Sequence, residues 1–90
     1  MTEPVNIPIT DSLDLHTFNP RELPALLDDY FEACIEVGLF SVRIIHGKGT
    51  GVLRDRVHSL LRKNTHVLSF KLASPEAGGW GATVVELKKN

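Results

Sequence analysis

Leu13-Asp14-Leu15-His16 alternates apolar and polar, and a period of two predicts a short strand with one buried face. Asp14 and His16 then point the same way, toward solvent or a cleft. Asn19-Pro20-Arg21-Glu22 has the makings of a helix start, with Asn19 as cap, Pro20 at the first helical position and Glu22 three residues past the cap. Leu23, Leu26, Leu27, Tyr30, Cys34 and Val37 follow at spacings of three and four, the stripe of an amphipathic helix lying on a sheet. Pro24 removes an early helical hydrogen bond, so the first turn is expected to tighten or the helix to restart there. Gly38 ends it.

Val42–His46 reads as a second strand and runs into Gly47-Lys48-Gly49-Thr50-Gly51. A second helix follows, with Leu53, Val57, Leu60 and Leu61 inward and Arg54, Arg56, Arg62 and Lys63 outward, broken at Asn64-Thr65-His66. Val67–Ala73 and Ala82–Leu87 are the last two strands, joined by a loop with Gly78-Gly79-Trp80-Gly81. The order is βαβαββ, two crossover units and a hairpin. An α/β fold with a mixed sheet covered by two helices follows. Residues 1–11, with two prolines and little periodicity, read as an extended N-terminal arm, and 12–90 as the domain.

At 90 residues, 42% apolar and 23% charged, the chain has the composition of one ordinary globular domain rather than a disordered one. Its single cysteine, Cys34, excludes an internal disulfide and a multi-cysteine zinc site. No run approaches the roughly 18 apolar residues of a membrane span. The N-terminus has no basic-then-apolar signal segment, so a cytoplasmic location, in cytosol or nucleoid, is the expectation.

The net charge of −1 speaks against a uniformly basic nucleic-acid coat or membrane-surface protein, but it is unevenly laid out. Residues 1–40 carry eight acids against Arg21, a net −7. Residues 41–71 carry seven bases against Asp55, a net +6, and the tail balances. The basic block surrounds the glycine loop and second helix, which points to an anionic partner.

His46-Gly47-Lys48-Gly49-Thr50-Gly51, between a strand and a helix, is the strongest local signal. Glycines bring bare N–H groups near a ligand, and the helix start and Lys48 favour a phosphate. The spacing matches neither a Walker loop nor a dinucleotide fingerprint; the plainer alternative is a tight glycine-rich turn. Asp14 and His16 stand near the end of one predicted strand and His46 at the end of the next. If those strands run parallel, the two histidines approach each other. Such a group supplies a base, an acid and an orienting carboxylate, or sparse ligands for a divalent metal, or satisfied structural hydrogen bonds. Trp80 is suited either to stacking on a base or to folding down as a lid. His58 and His66 attract no notice by position.

Taken together, Leu13-Asp14-Leu15-His16, Ile44-Ile45-His46-Gly47-Lys48-Gly49 and Gly79-Trp80-Gly81 followed by Ala82–Leu87 resemble, in that order, the small MutS-related (Smr) domain. The likeness runs from about Leu13 to Leu87 and departs where Thr17 stands in place of the glycine that commonly continues the first motif. It implies a two-layer α/β sandwich like the C-terminal domain of translation initiation factor three, in a stand-alone Smr protein or an excised domain. It also implies nucleic-acid binding with nicking endonuclease activity on DNA or RNA. Asp14, His16 and His46 would then be catalytic, with His16 or His46 as base or acid. Arg43, Gly47, Lys48, Gly49, Thr50, Gly51, Arg54 and Trp80 would bind nucleic acid. Mg²⁺ dependence and a metal-free route both stay open. So do a branched or ribosome-associated nucleic-acid partner and a binding module without catalysis; a monomer is plausible.

Overall fold

A strand–helix–strand crossover is right-handed, so two crossovers that step the same way across a sheet place both helices on one face. The computed structural model, which describes residues 9–77 and 81–89, has this arrangement. Strands β1 (Ser12–Asp14), β2 (Ser41–Ile45), β3 (Val67–Leu72) and β4 (Ala82–Leu87) form one sheet in the order β1-β2-β4-β3. β1 and β2 are parallel, while β4 runs antiparallel between β2 and β3. Helices α1 (Leu23–Glu36) and α2 (Val52–Lys63) make the crossovers. Val42 and Ile44 of β2 and Val85 and Leu87 of β4 meet Leu27, Phe31 and Cys34 of α1 and Val57 and Leu61 of α2 in one core. The mixed sheet and two helices expected from the pattern are therefore present.

The N-terminus of α1 forms as its residues dictate. Asn19 Oδ1 accepts from the Arg21 N–H at 2.9 Å, and Pro20–Glu22 make a 3₁₀ turn. The α-helix proper starts at Leu23, so Pro24 falls in its first turn, where its missing N–H would have no helical acceptor. Two stripe positions differ from expectation. Val37 is 60% exposed because it lies past the last helical residue, where the backbone has left helical geometry. Phe31, four residues after Leu27, is fully buried instead.

The strands also shift at their ends. β1 stops at Asp14, so Leu15 drops into the core and His16 sits in the turn beyond. β2 stops at Ile45, and β3 is an edge strand with a bulge between Val67 and Ser69 that leaves Leu68 exposed. Residues 1–8 of the expected arm, and Gly78, Gly79 and Trp80 of the third motif, lie outside the described residues. No described helix is long and apolar enough to cross a membrane.

Candidate nucleic-acid interface

The parallel pairing of β1 with β2 sets Asp14 opposite Ile45, so the two chains leave the sheet side by side. The turn after β1 and the glycine loop after β2 thus share one end of the sheet, the end at which open α/β sheets bind ligands. Between them lies a cleft of about 450 Å³. His16 and His46, the loop residues Gly47, Gly49, Thr50 and Gly51, and the first two arginines of α2, Arg54 and Arg56, line it.

Asp14 and His16 form a pair at this cleft. Asp14 Oδ1 accepts both the His16 backbone N–H at 3.0 Å and ring Nδ1–H at 2.8 Å. Those bonds, the backbone one first, hold the Asp14 carboxyl below the usual carboxylate range. With Nδ1 carrying the proton, Nε2 of the neutral ring keeps a lone pair. The His16 side chain is 76% exposed. Thr17 causes no backbone strain, since no described non-glycine residue has positive φ. The turn closes with the Phe18 N–H on the Leu15 carbonyl at 3.0 Å.

His46 behaves differently. It is only 7% exposed, and both ring nitrogens are engaged: Nδ1 with the Gly47 carbonyl at 3.0 Å and Nε2 with Thr83 Oγ1 at 2.8 Å. The same hydroxyl meets His58 Nε2 at 2.8 Å. The strands are parallel as required, yet each histidine pairs with its own partners: His16 with Asp14, His46 with Gly47 and Thr83. The expectation of His46 as a base or acid is not matched by a ring nitrogen left for substrate. Burial, then the neighbouring His46, Arg62 and Arg54, push His58 below the usual histidine range. A histidine depressed on folding binds its proton more readily when unfolded. Stability should therefore fall as pH drops from neutral through the ordinary histidine range to the lowered His58 value, then level off. Urea midpoints across that range check this, and His58→Gln should flatten the slope.

The loop is fastened from both sides. The Gly81 carbonyl accepts the His46 and Gly47 N–H groups at 3.0 and 2.8 Å, which joins the third motif to the second. Gly51 caps α2 with φ +87°, and a Cβ there would stand 2.7 Å from Arg54 Nη2. Gly51→Ala should thus displace the guanidinium and cost about 1–2 kcal/mol of left-handed strain, read as a lower urea midpoint.

Other expected contacts fall elsewhere. Arg43 alternates with the buried Val42 and Ile44, so it belongs to the sheet face away from the helices and is not part of the cleft lining. Lys48 is exposed, and its stem passes over Gly81 rather than lining the cleft. Trp80 lies outside the described residues. Thr83, bonded to His46, and His58, bonded to Thr83, were not assigned to the site from the sequence. The signal for Thr83 was available: it shares the inward alternation of Val85 and Leu87, and a buried hydroxyl needs a partner.

Among the described residues, the one group of three metal-ligating side chains near enough to share an ion is Asp28, Glu32 and His66, which are not in the cleft lining. Among the described residues the cleft lining has no carboxylate of its own; Asp14, bonded to His16, is beside it.

Comparison with known proteins agrees with this geometry. The Smr domain profile matches residues 13–88. Endonuclease MutS2 of Clostridium acetobutylicum is 45% identical over 80 residues, and that of Thermomicrobium roseum 48% over 80. Each alignment covers 89% of this chain but 10% of the relative, so the chain spans about a tenth of the length of these proteins. The crystal structure of the Smr domain of Thermus thermophilus MutS2 superposes with a TM-score of 0.80 at 38% identity, covering 88% of this chain and 99% of that one. YdaL, a stand-alone small MutS-related protein from Escherichia coli, gives 0.78 at 30% identity, covering 88% and 65%. With the profile match running over most of the chain and a solved Smr domain sharing this sheet topology, the chain belongs to the Smr domain family.

Proposed function

We propose that the cleft binds the phosphodiester backbone of nucleic acid and that His16 is the general base in its cleavage. The observation that carries this reading is the Asp14–His16 pair opening onto a cleft that also holds Arg54 and Arg56. A phosphodiester needs its charge countered, and the two guanidiniums at the start of α2 supply that. The glycine loop offers backbone close to the ligand at a helix N-terminus, where an anion is favoured. Asp14 fixes the ring with Nδ1 protonated, which leaves Nε2 to take a proton from the attacking oxygen. On RNA that oxygen is the 2′-hydroxyl, which bonds to phosphorus as the bond to the 5′-oxygen breaks and solvent protonates the leaving alkoxide, a route open without a metal. On DNA the attacking oxygen is a water, and one ester bond to phosphorus breaks in the same way. The name endonuclease borne by the MutS2 relatives supports the same reading.

A second reading, a binding module without catalysis, is favoured by the exposure of the pair, because water at a reacting centre weakens its electrostatics. One experiment separates them: purified protein on end-labelled DNA and RNA, with Mg²⁺ and with chelator. Repeatable products are expected. A mobility shift without product, weakening as salt rises, would support the binding module instead.

A further inference from the structure

His58, Thr83 and His46 form a line of hydrogen bonds from α2, across β4, to the glycine loop. We propose that Thr83 and His58 are positioning residues for that loop, holding His46 as a neutral ring with its proton on Nδ1. The proposal rests on the reading of the cleft as a phosphodiester site.

Donor and acceptor capacity fixes the direction of every bond in the line. A carbonyl only accepts, so His46 Nδ1 must carry the hydrogen that meets the Gly47 oxygen at 3.0 Å. The neutral ring then has a lone pair on Nε2, and the Thr83 hydroxyl donates into it at 2.8 Å. That uses the only hydroxyl proton, so His58 Nε2–H donates to Thr83 Oγ1 at 2.8 Å. Reversing the line without charging His46 would set the Nδ1 lone pair against the carbonyl lone pair. Two groups hold His58 in place: His46, edge-on at 6.0 Å between ring centres, and Phe70, tilted at 5.0 Å. Thr83 is fully buried and pairs with Ile44 across the sheet, so its hydroxyl is held away from water at the centre of the line.

The consequence falls on Gly47. Its carbonyl is held by the His46 ring and its N–H by the Gly81 carbonyl, so the peptide planes on both sides of it are set. Gly47 has φ +82°, a conformation closed to most side chains, and from it the chain turns toward Gly49, Thr50 and Gly51 along the cleft. A loose His46 ring would release the carbonyl and with it the direction of the loop. His58 thus acts on the cleft without lining it.

The test is imidazole ¹⁵N spectroscopy together with binding of a short fluorescent single-stranded RNA. Wild type is expected to show His46 protonated on Nδ1 only. Thr83→Val, which keeps the shape and loses the hydroxyl, should mix the His46 tautomers and move the amide signals of residues 47–51. RNA binding should weaken about three- to tenfold, the range of one neutral hydrogen bond. Thr83→Ser should restore both readouts. His58→Phe should behave like Thr83→Val, while His58→Gln, which keeps an N–H donor, should stay near wild type. A wild-type His46 protonated on Nε2 would overturn the proposal, and so would unmoved loop amides in Thr83→Val and His58→Phe. If wild type binds no nucleic acid, the phosphodiester reading fails by itself, and the tautomer and loop amides still decide this one.

Discussion

His46→Ala should lose about 2–4 kcal/mol of stability, the sum expected for emptying a buried ring site and stranding a hydrogen-bond partner. The ring is buried against the sheet, and its removal leaves the Thr83 hydroxyl without its acceptor and the Gly47 carbonyl without its donor. For a domain of this size the melting temperature should drop by roughly 10 °C or more. Calorimetry checks it. Nucleic-acid binding should fall in the same variant even at temperatures where it is folded, because Gly47 no longer has a fixed carbonyl. An alanine variant as stable as wild type, with its loop amides unshifted, would show that the ring holds nothing.

His16→Ala should do the reverse. The side chain is largely exposed and, among the described residues, its hydrogen bonds reach only to Asp14, so the melting temperature should stay close to wild type. Removing a general base typically costs about 10²–10⁴-fold in rate, and cleavage should fall by that order while RNA retention in a mobility shift is unchanged. Asp14→Asn should fall less far, since it takes the charge from the acceptor that orients the ring but leaves the ring itself. Its amide also accepts less well, so the preference for hydrogen on Nδ1 weakens. The two histidines that look equivalent along the chain therefore separate by what they touch, His46 the Gly47 carbonyl and the Thr83 hydroxyl, His16 the Asp14 carboxylate.

How much of this was visible beforehand depends on the range of the interaction. The β2–loop–α2 unit is local: an apolar strand, four glycines or small residues in a row with one lysine, and a stripe at helical spacing. It came out within a residue of its true limits. Asp14 and His16 were legible for the same reason, being two residues apart, although the strand ends sooner than the alternation suggested and the pair sits in a turn. His58 was not legible, because its partner is 25 residues away on β4 and helical spacing says only that it is half inward. Arg43 shows the opposite failure. Charge counted along the chain joined it to Arg54 and Lys48, whereas the alternation with Val42 and Ile44 already assigned it to the other face of the sheet. Motif resemblance carried the family, whereas what each histidine touches needed the hydrogen bonds.

The most direct test of the central claim is the rate at which saturating protein cuts one end-labelled RNA strand, measured for wild type and His16→Ala, each with and without added imidazole. The account predicts a rate about a hundredfold or more lower in the variant, partly restored by imidazole supplying the missing base in the cleft. Equal rates in the two proteins, or a wild type that binds the strand and leaves it whole, would contradict it.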